Sequence, residues 1–155
     1  MMKQKILQLN ESERAWIKAH LDAAAFFVET YAPTNKSDLL SLSTLDRAFA
    51  AWIVTEPTDG VHINNVVNAI GMAFGAKLVE GLGFRWVVAA DTQGTEMAVY
   101  ALPGKGDVLV YPANFVAKRW EKREINFLEP SYQKISEDLA RLKQSHTVKA
   151  WWKIW

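Results

Sequence analysis

The chain contains no cysteine, no long apolar run and no surplus of charge of either sign. Without cysteine, disulfide scaffolds, thiolate zinc sites and cysteine nucleophiles are excluded, and the composition is compatible with a reducing cytoplasm. The segment from Met1 to Leu9 carries lysines, but polar residues interrupt each apolar stretch, unlike a signal peptide or a membrane span. We therefore expect a soluble cytoplasmic protein that is not exported.

Charge and histidine content give no sign of a charged ligand or a metal. The formal net charge is +1 at pH 7, so the whole chain has no bulk attraction for nucleic acid or anionic lipid. Its three histidines, His20, His62 and His146, have no metal-ligand spacing with one another or with a carboxylate cluster. We expect no metal, no cofactor, no nucleic acid partner and no membrane partner.

The chain does have enough apolar material for a core. Half of its 155 residues are hydrophobic, and a chain of this length buries roughly 70% of its unfolded surface. We predict a single domain, 1–155. Its parts are a helical segment at 10–58, a helix with antiparallel strands at 62–128, and a C-terminal helix with a Trp-rich tail at 130–155.

Two helices are predicted in the first part. The first begins at Asn10, which forms a capping box with Glu13, and Pro33 ends it. The second begins after Ser43, with Asp46 at the matching acidic position. Both helices repeat apolar residues every three or four positions, which indicates that one face of each is covered.

A third helix has the clearest boundaries in the sequence, with Asn64 or Asn65 as its cap and Gly83 as its left-handed stop. A glycine inside a helix costs about 1 kcal/mol relative to alanine. Gly71 and Gly75, one turn apart, therefore predict close approach of another backbone. Packing on the protein's own sheet is the favoured explanation.

After the third helix the pattern becomes extended. Strands are predicted from Phe84 to Ala90, from Thr95 to Leu102 and from Val108 to Tyr111, joined by short turns. A further helix is predicted from about Pro130. The predicted fold class is α+β, with a short antiparallel meander of about three strands packed against three or more helices.

The run from Gly71 to Arg119 carries a family resemblance. It contains GMAFGAKLVEGLGFRWVV, then DTQG, then the beginning of VYPANFVAKRWEKRE. With these landmarks in this order, the middle half of the chain resembles a bacterial family known only as domain of unknown function 3806. The resemblance implies a bacterial origin and an α+β domain, and it supplies no activity and no catalytic residue.

Several features allow a catalytic interpretation. His62 precedes Asn64 and Asn65, where free helix amides could hold a small anion, although simple capping is favoured. Asp91 and Glu96 flank a turn and could form a carboxylate pair, although an aspartate there usually binds turn amides. The PGKGD loop lacks the spacing of a P-loop and is interpreted as a hairpin loop. An enzyme of unknown reaction is one alternative function, and a small-ligand carrier with a pocket under the third helix is another.

The strongest functional signal is a contact surface. The basic segment, Lys118 to Glu124, offers arginine and tryptophan side chains that suit protein contacts. In addition, three tryptophans lie in the last five residues. We expect this tail to pack on its own domain, for example as an edge strand, with a homodimer contact as the main competitor. The predicted function is non-catalytic binding, either of an unknown protein partner or of a second copy of the chain. The candidate binding residues are Lys118, Arg119, Trp120, Trp151, Trp152 and Trp155.

Overall fold

The computed structural model describes residues 4–35 and 37–145 and the backbone of Trp152–Ile154. Within these residues the chain has five helices and five strands, which confirms the α+β class. In chain order the elements are β1 (Lys5–Leu7), α1 (Glu11–Tyr31), α2 (Leu42–Ile53), α3 (Gly60–Leu82), β2 (Arg85–Asp91), β3 (Gly94–Ala101), β4 (Val108–Val110), α4 (Pro112–Glu121), α5 (Leu128–Gln144) and β5 (Trp152–Ile154).

The strands form one sheet in the order β1-β2-β3-β4-β5. Neighbours from β1 to β4 are antiparallel, whereas β5 is parallel to β4. The predicted meander is confirmed as β2, β3 and β4. The sheet is wider than predicted because β1 and β5 add one strand at each edge. Each has three residues, too few for a period-2 pattern to identify them.

The first helix follows its sequence signals at both ends. Asn10 Oδ1 accepts a hydrogen bond from the Glu13 amide, and Glu13 Oε1 accepts one from the Asn10 amide, both at 2.8 Å. This is the predicted capping box. The helix ends at Tyr31, before Pro33.

The predicted caps of α2 and α3 are wrong. Ser41, not Ser43, caps α2. Asp59 caps α3 by accepting hydrogen bonds from the second and third amides of that helix at 3.0 and 3.4 Å. Asn64 and Asn65 therefore lie within α3 rather than before it. Each of these side chains is a good cap, so capping preference alone does not choose among neighbouring candidates.

Asp46 also has a different role from the one predicted. It lies inside α2, is buried, and caps α5 instead of its own helix. Its Oδ1 accepts a hydrogen bond from the Leu128 amide at 2.9 Å, and its Oδ2 accepts one from the Glu129 amide at 3.1 Å. Phe127, the N-cap residue of α5, supplies no side-chain cap. A carboxylate from α2 thus satisfies amides that would otherwise have no helical partner.

The main core lies between the helices and one face of the sheet. Val99 and Val110 contribute to it from the strands, together with buried residues of all five helices. Val87, Ala98 and Leu109 belong to a second buried cluster on the opposite face. The alternation along β2 and β3 follows from the period of two in a strand.

The glycines of α3 do mark close packing, but the neighbour at Gly71 is a helix rather than the sheet. A Cβ atom at Gly71 would lie 2.7 Å from the Ala113 Cα of α4. At Gly75 it would lie 2.5 Å from the Trp86 ring of β2 and 3.0 Å from Pro112 Cγ. The space beneath Gly71 is thus filled by backbone, which leaves no room for the predicted ligand pocket there. No helix in the part of the chain that the structure describes is long and apolar enough to cross a membrane.

Candidate functional site

The basic segment begins on α4, which follows β4 directly. Pro112 occupies the first turn of α4, where its missing N–H costs no hydrogen bond. Lys118 and Arg119 lie in the last turn, where cations favour the negative end of the helix dipole. Phe115 and Val116 are fully buried, so they fix the rotation of the helix and the directions of its other side chains.

That rotation sends the three predicted contact residues of α4 in different directions. Lys118 is exposed and lines a cavity beside the β2–β3 turn. Arg119 packs inward, with its guanidinium 4.4 Å from the centre of the Phe115 ring and its Nε 3.3 Å from Glu124 Oε2. Trp120 is half-buried and lies against Trp52, with ring centroids 5.0 Å apart. The three side chains therefore do not form one surface.

Trp120 belongs to an arrangement of four side chains from different elements, which we call the aromatic ladder (His62, Trp52, Trp120 and Arg123). The rings of His62 and Trp52 are 5.8 Å apart, and the Arg123 guanidinium lies 3.7 Å from the centre of the Trp120 ring. Trp52 is fully buried, and its Nε1 donates a hydrogen bond to His62 Nε2 at 3.0 Å. A buried indole N–H needs such an acceptor, so His62 has a structural partner at the start of α3.

Exposed apolar side chains lie close in the chain to three members of the ladder, His62, Trp52 and Arg123. Val61, directly before His62, is 73% exposed, and Val54, directly after α2, is 77% exposed. Ile125, two residues after Arg123, is 48% exposed. Single exposed apolar residues are common. These three are close in the chain to a tryptophan and an arginine, residue types that are enriched in protein interfaces.

The residues proposed for catalysis are only partly brought together. Asp91 and Glu96 line the same cavity as Lys118, a cleft of about 400 Å³ that also includes Tyr111. His62 is not among the described residues that line it. The Asp91 Oδ1 atom accepts a hydrogen bond from the amide two residues on at 2.8 Å, which confirms its role in the turn.

The phenol in this cleft is poorly suited to act as a base. Burial raises the pKa of Tyr111, the hydrogen bond from Gln4 opposes this rise, and the nearby charges of Glu96 and Asp91 add to it. A tyrosine with a raised pKa keeps its proton at neutral pH. No group of three or more His, Asp or Glu side chains in the described ranges could hold a metal ion.

The loop between β3 and β4 is closed by its own aspartate. Asp107 Oδ1 accepts a hydrogen bond from the Gly104 amide at 2.8 Å and another from the Tyr100 hydroxyl. Burial raises the pKa of Tyr100 to about 12, and the hydrogen bond from its hydroxyl to Asp107 and the charge of Asp107 add to the rise. Because Asp107 occupies the Gly104 amide, the loop is a hairpin connection rather than a phosphate cradle, as predicted.

The Trp-rich tail is described only through its backbone at Trp152–Ile154. This segment pairs with β4, placing Trp152 opposite Val108 and Ile154 opposite Val110. The backbone of Trp152–Ile154 thus forms an edge strand of the sheet, which is one of the ways in which the tail is expected to pack on its own domain. Trp151, Trp155 and His146 lie outside the described residues.

Comparison with known families gives one result. A family model described as "Domain of unknown function (DUF3806)" matches residues 42–131, more than half of the chain. The chain belongs to this family. No curated protein and no solved structure matches it.

The family match covers more of the chain than the run that carried the resemblance. It extends from the start of α2 to the first turn of α5 and includes the whole aromatic ladder and Lys118. The strand β1, the helix α1, most of α5 and the strand β5 lie outside it. The family itself is defined without an activity, so these residues obtain no role from membership.

Sequence patterns did not identify the ladder as a unit. Trp52 and His62 are separated by a turn-rich loop, and Trp120 lies far along the chain. The apolar repeat of the second predicted helix includes Trp52 as a core residue, and His62 is predicted to lie beside a helix cap. The only available signal was the presence of a tryptophan and two arginines in the basic segment, which pointed to Trp120 but not to its partners.

Proposed function

We propose that this protein is a non-catalytic binding domain that recognises a protein partner through the surface beside the aromatic ladder. The exposed side chains of Val54, Val61 and Ile125 carry this proposal. Binding would remove their apolar surface from water, which contributes about 25 cal/mol for each Å² buried.

The ladder supplies a rigid base for such a surface. Trp52 is fixed by burial and by its hydrogen bond to His62, and its ring packs against the ring of Trp120. Arg123 is exposed and held against Trp120 by stacking and by a hydrogen bond to the Trp120 carbonyl. Tryptophan and arginine dominate many interfaces because they combine large contact area with directed hydrogen bonds.

The charge beside this surface favours an acidic partner. Lys122 and Arg123 are exposed, and of the two glutamates in this segment Glu124 is paired with Arg119. Glu121 is also exposed and offsets part of the positive charge. We therefore infer that the partner segment combines apolar side chains with aspartate or glutamate. Lys118 and the tail tryptophans Trp151, Trp152 and Trp155 remain predicted contact residues, although Lys118 faces the cleft at the β2–β3 turn. A cytoplasmic location remains a prediction from composition.

The test uses linear peptides selected from a random display library on the intact chain. We expect the selected peptides to be acidic and to contain leucine or aromatic residues. Replacing Val54, Val61 and Ile125 together by serine should weaken their binding at least tenfold, since each change removes apolar contact area. Binding is measured by isothermal titration calorimetry, and circular dichroism checks that the variant is folded.

A matched control is Phe26→Ser, which removes an exposed aromatic side chain from α1. It should leave peptide affinity unchanged. Equal affinity of the peptides for the triple variant and the intact chain would contradict the proposal. Concentration-dependent dimerisation that the triple variant abolishes would instead identify a second copy of the chain as the partner.

A further inference from the structure

A second concave site lies between α1 and the β1 edge of the sheet. Its volume is about 460 Å³, within the roughly 300–1,000 Å³ range of small-molecule sites. Ile17 and Leu9 are buried in its floor, and Leu21 and Trp86 are half-buried in its wall. The surface offered to a ligand is therefore largely apolar.

The short length of β1 leaves this site open. Pairing between β1 and β2 stops where Leu7 lies opposite Val88. The chain then turns toward α1, while β2 begins three residues earlier, at Arg85. Residues 85–87 border the cavity on the side where β1 no longer continues.

The charge around the cavity has one sign. Arg14, Lys18 and Arg85 line it, and no aspartate or glutamate is among its described lining residues. Lys18 is 3.3 Å from Asp22, but both side chains are more than two-thirds exposed, so this pair is weak. Among the described residues, neither Arg14 nor Arg85 has a carboxylate within ion-pair distance. The Arg85 guanidinium lies 5.4 Å from the centre of the Tyr100 ring, a contact that leaves its N–H donors without a carboxylate partner.

The position of Arg14 is not explained by the stability of its helix. It lies one turn from the N-terminus of α1, and its amide bonds to the Asn10 carbonyl. A cation there faces the positive end of the helix dipole, which is mildly unfavourable. An anion bound to Arg14 would offset this unfavourable interaction, because its negative charge is favoured at the same end of the helix.

We propose that this cavity binds a small molecule that carries a carboxylate on an apolar chain, such as a medium-chain fatty acid. The chain lies on Leu9, Ile17 and Trp86, and the carboxylate is held by Arg14 and Arg85. Arginine suits this role because its planar guanidinium forms two parallel hydrogen bonds to a carboxylate. The site is separate from the surface beside the aromatic ladder, and neither proposal depends on the other.

The probe is decanoate below its micelle concentration, titrated into the intact chain by isothermal titration calorimetry. Affinity should rise roughly tenfold for each two methylenes from hexanoate to decanoate, because each buried methylene adds a similar increment. Decanol should bind about tenfold more weakly than decanoate, since it lacks the charge-assisted hydrogen bonds. Decyltrimethylammonium should not bind.

The variant Arg14→Gln/Arg85→Gln should reduce decanoate affinity to that of decanol. Arg47→Gln, which alters an exposed arginine of α2, is the control and should bind decanoate normally. The serine variant at Val54, Val61 and Ile125 should also bind it normally, which separates failure of this proposal from failure of the proposed function. Absence of decanoate binding, equal binding of decanol, or no effect of the double variant would overturn the proposal. Binding to phosphatidylglycerol vesicles without binding of free decanoate would overturn it too, in favour of a lipid surface.

Discussion

Asp46 is a buried carboxylate that links α2 to the start of α5. Burial raises the pKa of Asp46, while the hydrogen bonds from the Leu128 and Glu129 amides act to lower it. Its energetic role therefore has two opposing parts. The amides gain an acceptor, and the charged form loses part of its hydration.

Replacing Asp46 by alanine should lower the free energy of unfolding by about 2 to 3 kcal/mol, because two amides at the start of α5 lose their acceptor. Asp46→Asn should cost about 1 kcal/mol, since one oxygen remains to accept. Between the ordinary pKa and the raised pKa of Asp46, the folded state holds more protons than the unfolded state. The advantage of the wild type over Asp46→Asn should therefore fall as pH rises through that interval, as measured by urea unfolding.

Asp138 provides a control of opposite sign. Burial acts to raise its pKa, but hydrogen bonds and charges from Lys134 and Arg141 outweigh burial, and the pKa is lowered. The advantage of the wild type over Asp138→Asn should be present above the ordinary pKa and should be lost as pH falls. An advantage over Asp46→Asn that grows with rising pH would mean that the amide bonds, not burial, control Asp46.

At the scale of elements, the contact between α3 and α4 places the ladder and the cleft. Gly71 allows the backbone of Ala113 to reach α3, and Gly75 leaves space for Trp86 and Pro112. This close approach, together with the burial of Phe115 and Val116, sets the rotation of α4. That rotation directs Trp120 to Trp52 and Lys118 to the β2–β3 turn.

Gly71→Ala tests this contact. In an open helix the change would stabilise by up to about 1 kcal/mol. Here the added methyl would overlap the Ala113 backbone, so we expect a loss of about 1 to 3 kcal/mol in the free energy of unfolding. Gly60→Ala is the control, since a Cβ there meets no atom within 4 Å. Measured in urea, a neutral or stabilising effect of Gly71→Ala would refute the close contact.

The sequence predicted the existence of the elements better than their ends or their neighbours. Gly83 ends α3 at a left-handed φ of 75°, as its residue type requires. The predicted starts of α2 and α3 are wrong because several residues that could cap a helix lie within a few positions of each other. The neighbour of Gly71 was also assigned to the wrong layer, because a glycine spacing reports a close approach without identifying what approaches.

At the scale of the whole molecule, the sheet joins the two ends of the described chain. The strand β1 forms one edge, and β5, the last described segment, forms the other beside β4. The strand β4 has only three residues, all buried. We infer that the chain 1–155 is one domain whose terminal strands take part in the same sheet.

A variant ending at Val148 should test the role of β5. Its loss removes the backbone partners of Val108–Val110, so we expect the free energy of unfolding to fall by about 2 kcal/mol. Light scattering should show a monomer for the intact chain and added self-association for the variant, because β4 becomes a free sheet edge. Circular dichroism and tryptophan fluorescence should follow one coincident unfolding transition in the intact chain.

The opposite pattern would have a different meaning. A dimeric intact chain and a stable, folded monomer after truncation would identify the tail as an interface between copies. Two separate transitions in the intact chain would contradict the single domain.

Local chemistry along the sequence determined the capping box at Asn10, the stop at Gly83, the two-residue turn after Asp91 and the α+β class. Each depends on residues close together in the chain, whose preferences act before any tertiary contact forms. The tertiary structure alone decided which groups meet across the fold. It brought Asp46 to α5 and joined His62, Trp52 and Trp120, and it gathered Arg14, Lys18 and Arg85 around one apolar cavity, because these contacts depend on how helices and strands pack rather than on sequence spacing.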